Sequence, residues 1–171
     1  LKRTAALKYV ARIVDERLTA VHELPLTGLP SRTRVSADGR YGAVTAFTRG
    51  HNYARPGQFS TATTLVEMAT GRSLGNLEEF AVTRDDRAFR SVDFNFWGVT
   101  FFPDSSRFVA TLATRGRTYL VSGDVTARTM RVEHENVECP SLSPDGTRVG
   151  YKKRVGGPGV WRFHVLDLAT R

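Results

Sequence analysis

The chain has 171 residues, 40% hydrophobic and 25% charged, a make-up that supports a packed core and excludes a disordered chain. Its 25 Lys+Arg against 17 Asp+Glu give a formal charge of +8, which favours anionic partners at long range. The excess is nearly all Arg and is scattered, with Lys152-Lys153-Arg154 the only contiguous basic triplet, so nucleic-acid binding is not expected; nor is a membrane span, since every apolar stretch falls short of ~18 residues.

The single cysteine, Cys139, excludes a disulfide within the chain. The chain opens on Leu1 rather than Met, so a natural N-terminus upstream is expected, and a leader peptide is left open. The first elements are Tyr9-Val10-Ala11-Arg12-Ile13-Val14 and Thr19-Ala20-Val21-His22-Glu23-Leu24, which read as two strands. An amphipathic helix over residues 4–18 is the competing reading.

From Ser36 onward the chain repeats itself. Ser36-Ala37-Asp38-Gly39-Arg40, Phe102-Pro103-Asp104-Ser105-Ser106-Arg107 and Ser143-Pro144-Asp145-Gly146-Thr147-Arg148 are three versions of one turn, each between two short apolar runs. The clearest unit has four strands, a to d: Gly98–Phe101, Arg107–Ala113, Thr118–Ser122 and one near Met130–Glu133. Phe108, Ala110 and Leu112 share one face of the second of these, as period-2 alternation requires. The next unit restarts at Pro140-Ser141-Leu142-Ser143.

Asp104 and Asp145 lie 41 residues apart, close to the ~40–45 of a four-stranded propeller blade. Asp38 and Asp104 lie 66 apart, so that unit carries extra chain. Two loops are expected to absorb it: Thr48–Gln58 between strands b and c, and roughly Glu78–Asn95 after strand d. The expected fold class is therefore all-β, a β-propeller segment of three to four four-stranded antiparallel blades that belongs to a larger ring. The expected blades are 1–30 (partial), 31–95 (with both insertions), 96–138 and 139–171 (incomplete).

The Asp of each turn has a mechanism. Its carboxylate accepts backbone N–H groups two residues on, while a neighbouring Gly supplies φ > 0. Asp38, Asp104 and Asp145 are accordingly expected to hold turns rather than perform chemistry.

Ser143-Pro144-Asp145-Gly146-Thr147-Arg148-Val149-Gly150-Tyr151, followed by a strand ending in Val165-Leu166-Asp167-Leu168-Ala169-Thr170, resembles the TolB-like, WD-related β-propeller repeat. Ser36–Val44 and Phe102–Val109 are weaker copies, and Glu67-Met68-Ala69-Thr70-Gly71 resembles the strand-c ending. The resemblance covers about residues 31–171, and the layout is similar to actinobacterial proteins of the TolB-like translocation type. It implies an exported, non-enzymatic propeller that binds other envelope proteins. The sequence departs from the pattern at Ala37, where Pro is usual, and at Ser105, where Gly is usual.

Other constellations are weaker. Gly71-Arg72-Ser73-Leu74-Gly75 matches G-x-S-x-G, but it overlaps a hairpin and no good helix follows. Glu133-His134-Glu135 with Glu138-Cys139 gathers metal-capable groups without a second His, and alternation splits them between faces. Asp85, Asp86 and Asp93 lack an ordered ladder of Ca²⁺ ligands and have Arg84, Arg87 and Arg90 beside them. The aromatic run Phe94–Phe102 reads as core between blades, with an exposed peptide- or sugar-binding patch as the other reading. Gly156-Gly157-Pro158-Gly159 is a hairpin loop with no helix after it to hold a phosphate.

No catalytic set, metal or cofactor is expected. His51, Asn52, Tyr53 and Arg55 in the first insertion are the expected contacts for a protein or peptide partner. The rival reading is the gating propeller of a prolyl-oligopeptidase-like serine peptidase whose catalytic domain lies elsewhere. The resemblance favours a cell-envelope or secreted location.

Overall fold

The computed structural model describes residues 8–48, 60–157 and 159–170. Strands β1 (Tyr9–Val14) and β2 (Ala20–Leu26) form an antiparallel pair, so the strand reading of this region holds and the helical one does not. The second sheet is a meander of β3 (Leu29–Val35), β4 (Tyr41–Phe47), β5 (Thr61–Glu67) and β6 (Arg72–Asn76).

A 3-10 turn (Leu77–Glu79) leads to β7 (Ala81–Arg84) and β8 (Arg87–Ala88). The third sheet is the meander β9 (Asn95–Phe101), β10 (Arg107–Thr114), β11 (Arg117–Asp124) and β12 (Thr129–Glu135). The fourth holds β13 (Glu138–Leu142), β14 (Arg148–Arg154) and β15 (Trp161–Asp167).

The stretch 78–95 is more ordered than a loop. β7 pairs in parallel with β12, from Ala81↔Thr129 to Arg131↔Thr83, and β8 folds back on β7, so the third sheet has six strands. The physical reason lies in side chains that a turn-rich sequence conceals. Leu77, Phe80 and Val82 are buried in the core between the second and third sheets, and Phe89 and Phe94 pack against it. The strap also pairs with the outer edge of β12, an edge that would otherwise present free backbone groups.

β10 shows how sequence becomes packing. It is apolar almost throughout because it is covered on both faces. Phe108, Ala110 and Leu112 enter the core shared with the second sheet, whereas Val109 enters the core shared with the fourth, beside Leu120, Val137, Val149 and Tyr151. The aromatic run is likewise internal, with Phe96, Trp97, Phe101 and Phe102 all buried. Each large side chain removed from water contributes about 1.5–3 kcal/mol.

Inner strands approach closely at Gly98, whose φ is +68°. A Cβ there would lie 3.3 Å from both Cys139 Cα and Pro140 Cδ of β13. Successive sheets thus pack face to face through two apolar layers, the stacking of a β-propeller segment. Between β1–β2 and the second sheet the layer is looser, with a cleft of about 320 Å³ lined by Ile13, Leu24, Leu26, Val44 and Val66 among others.

Candidate functional site

In an antiparallel meander the a–b and c–d turns share one end of the sheet, and the b–c turns and d–a connections share the other. The Asp turns therefore sit at one end. Asp38 Oδ1 accepts the Arg40 N–H (3.0 Å) and the Ser36 hydroxyl (2.7 Å), and Ser36 Oγ accepts the Tyr41 N–H at 2.9 Å. Asp145 Oδ1 accepts the Thr147 N–H (3.0 Å), the Thr147 hydroxyl (2.9 Å) and the Ser143 hydroxyl, while Ser143 Oγ accepts the Arg148 N–H at 3.0 Å.

Asp104 Oδ1 accepts the N–H groups of Ser106 (3.1 Å) and Arg107 (3.0 Å). Ser105 stands in this turn with φ +61°, the left-handed conformation that Gly39 and Gly146 adopt in the sister turns. The Arg40 N–H and Ser36 hydroxyl hold Asp38 at about 2, and the Ser143 hydroxyl and Thr147 donors do the same for Asp145. At Asp104 burial acts upward, but the N–H and guanidinium of Arg107 outweigh it and the pKa stays low.

His51, Asn52, Tyr53 and Arg55 lie outside the described residues. Their insertion leaves β4 and re-enters β5 where Thr48 N–H donates to the Ser60 carbonyl (2.9 Å) and the two hydroxyls meet at 2.8 Å. Just inside, Thr61 N–H donates to Asn95 Oδ1 (2.9 Å), and the hydroxyls of Thr61 and Thr63 donate to the Phe96 carbonyl at 2.9 and 2.6 Å. These bonds tie β5 of one blade to β9 of the next.

The tip of the β7–β8 strap and its return segment reach this same end. Asp93 accepts the hydroxyls of Ser91 (2.6 Å) and Thr114 (2.5 Å) and the Arg115 N–H (2.7 Å), which together hold its pKa at about 2. The strap is clamped by Arg84, which pairs with Glu135 at 2.6 Å and lies over the Tyr119 ring. Asp85 meets Arg84 at 3.6 Å, and among the described residues no three His, Cys, Asp or Glu gather as metal ligands would.

The remaining candidates are placed as follows. Ser73 is the second residue of β6, after the left-handed Gly71, and its hydroxyl accepts the Gly75 N–H at 3.2 Å, in a hairpin rather than a strand-to-helix elbow. The Glu133 side chain is 7% exposed, pairs with Arg131 and accepts the Ser122 hydroxyl. His134 meets the Tyr151 ring edge-to-face at 6.4 Å.

Glu78, in the 3-10 turn, escaped the sequence reading. Both carboxyl oxygens are sealed from solvent without a hydrogen bond of ordinary geometry, and burial pushes the pKa up to about 7 against the weaker pull of the Glu78 and Thr63 backbone N–H groups. Leu77-Glu78-Glu79-Phe80 reads as a polar turn, and no pattern in it marks one of two adjacent glutamates as internal.

No family model matches the sequence, and no curated protein matches it. Solved structures do resemble the fold. The β-propeller domain of the Trilobed protease from Pyrococcus furiosus aligns at 12% identity and TM-score 0.54, over 94% of this chain and 47% of that one. Kuenenia stuttgartiensis hydrazine synthase aligns at 18% identity and TM-score 0.54, over 91% and 44%. An acylaminoacyl peptidase aligns at 10% identity and TM-score 0.55, over 84% and 24%. At such identities the likeness is one of fold, and the chain spans less than half the length of each of these proteins.

Proposed function

We propose that this chain is a TolB-like propeller segment that acts as a non-enzymatic binding scaffold for a protein or peptide partner in the cell envelope. The observation that carries this reading is the division between the two ends of the sheets. One end repeats a short, internally satisfied turn three times; the other holds the b–c junction at Thr48 and Ser60 and the tip of the β7–β8 strap. Rigid blades presenting irregular loops at one end are a common design for recognition. Asp38, Asp104 and Asp145 serve the turns, and His51, Asn52, Tyr53 and Arg55 make partner contacts. The blades run 1–30, 31–95, 96–138 and 139–171, within a larger ring of the TolB-like translocation type; the 75% exposure of Phe163 on the free face of β15 suits a further blade there.

Deletion of His51–Gln58 tests the reading. The expected result is an unchanged circular dichroism spectrum and melting temperature, with at least a ~10-fold loss of affinity for an envelope protein that co-purifies with the intact chain. Unchanged affinity would overturn it.

The likeness to an acylaminoacyl peptidase favours a second reading, a gating propeller beside a hydrolase domain. Sequencing the gene past Arg171 separates the two. A strand, G-x-S-x-G and helix downstream would support the peptidase.

A further inference from the structure

The first strands of the three meanders, β3, β9 and β13, are edge strands, each paired within its sheet on one side only. β3 meets β9 and β9 meets β13, the latter so closely that a Cβ on Gly98 would lie 3.3 Å from Cys139 Cα. The first strands therefore converge and form the inner wall of the segment, the side that faces the axis in a propeller. A cleft of about 370 Å³ opens along them, lined by Arg32, Arg34, Thr45, Gly98, Val99 and Pro140 among others. That volume is in the range of small-molecule sites.

Register puts both arginines on one face. Arg32 stands opposite Thr45 and Arg34 opposite Ala43, and Ala43 enters the core between the second and third sheets. Residues directly across an antiparallel pair share a face, so Arg32 and Arg34 project towards the third sheet, about 7 Å apart along the strand. Both are exposed, and Arg34 makes no ion pair, hydrogen bond or ring contact among the described residues.

No Asp or Glu lines this cleft. The acids closest in the chain are engaged elsewhere: Asp38 closes its own turn and meets Arg40 at 3.5 Å, and Glu138, two residues before Pro140, meets Lys152 at 3.2 Å with its side chain only 13% exposed. Thr45 offers no donor. The Thr63 hydroxyl spends its one proton on the Phe96 carbonyl (2.6 Å), so the Thr45 hydroxyl donates to Thr63 at 2.9 Å. The side-chain donors facing the cleft are thus the guanidinium groups, beside the outward N–H groups of edge strands.

We propose that this axial cleft binds a carboxylate group, held by the guanidinium forks of Arg34 and Arg32. An Arg fork matches the two oxygens of a planar carboxylate through paired bonds. A phosphate dianion fits less well. It is best held at a helix N-terminus or in a nest of backbone N–H groups, and no α-helix occurs among the described residues. The carboxylate belongs either to a free organic acid or to the C-terminus of a peptide, and the recognition chemistry is the same for both. This site goes beyond the partner contacts assigned to His51–Arg55, and Arg34 lies at the other end of β3, next to the Ser36 turn.

The test titrates the isotopically labelled full chain with succinate at low salt and follows the arginine side-chain Nε–H signals by NMR. Saturable shifts confined to Arg32 and Arg34 are expected. R34Q is expected to weaken succinate binding at least ~10-fold. R34K keeps the charge without the fork and should lose about 3-fold. R162Q removes an exposed arginine of β15 and should change binding less than ~2-fold. Trialanine and its C-terminal amide separate the two sources: binding tighter than that of succinate and lost in the amide assigns a chain end, and the reverse order assigns a free acid.

Equal loss in R34Q and R162Q would overturn the proposal, because net charge alone would then explain binding. Shifts spread over exposed arginines throughout the chain would do the same. Phosphate binding at least as tightly as succinate would overturn the choice of carboxylate.

Discussion

The two ends of the blades are built on opposite principles. The turn end satisfies its Asp side chains internally: each Asp closes its own loop, and Arg40 and Arg107 pair with Asp38 and Asp104 of their own turns. The opposite end is held by longer-range bonds between elements, through Asp93, Asn95 and the Thr48–Ser60 pair. Regular turns can recur in every blade because they ask nothing of their surroundings. The irregular end can vary because the sheets below it already hold the fold.

This contrast depends on a shared core, and the largest effect comes from removing it. Phe108 lies fully buried with its edge toward Phe80 and Phe101 at 6.4 Å. Phe108→Ala is expected to cost about 3–5 kcal/mol in urea unfolding and to destabilise both ends together. Loss of protection at only one end in hydrogen exchange would show that the ends fold independently.

The next effect probes the joint between the second and third sheets. Glu78 has its pKa raised from 4.5 to about 7 by burial. The unfolded chain therefore ionises first, so stability is fullest below about pH 4.5 and falls as pH rises towards 7. The full difference amounts to about 3 kcal/mol. The elements packed on this turn add no counter-charge: Thr61–Val66 of β5 and Asn95–Phe101 of β9 contain no charged residue, and Glu79 is held by Arg128 at 3.0 Å. Glu78→Gln should flatten the pH profile between 5 and 7 and raise stability at pH 8. A wild-type profile parallel to that of the variant would show that the carboxyl is paired in solution.

A smaller effect of opposite sign belongs to the turn end. Asp38 and Asp145, with pKa values of about 2, support the fold above about pH 4, and that support is lost as pH falls through 2. Asp145→Asn should lower the melting temperature at pH 7 and remove part of the acid sensitivity below pH 4. An acid limb unchanged from the parent would move the acid-labile group elsewhere. The smallest effect is Arg148→Ser. Its 4.0 Å pair with Asp167 is solvent-exposed, and the change in stability is expected to stay below about 1 kcal/mol in urea unfolding.

How much of this was legible depended on range. Strands b and c of the third unit appear within a residue or two of where alternation puts them, because Phe108, Ala110 and Leu112 declare a face locally. The stretch 78–95 reads as a loop in the sequence because its turn residues are local and its partners are not. Phe80 needs Phe108, and Val82 needs Met130, before either has a reason to be buried. Asp93 read as one of several loop acids, and only the fold brings Thr114 and Arg115 to it.

Periodicity and the returning Asp turn determined that the chain is all-β, repeats about every forty residues and buries alternate side chains between blades, since these follow from contacts only a few residues apart. Tertiary structure alone decided that a strap from one blade completes the sheet of the next, that Glu78 is sealed in the joint, and that Asp93 closes on Thr114 and Arg115. Those features arise from residues tens of positions apart in the chain, and burial and charge balance exist only once such residues are neighbours in space.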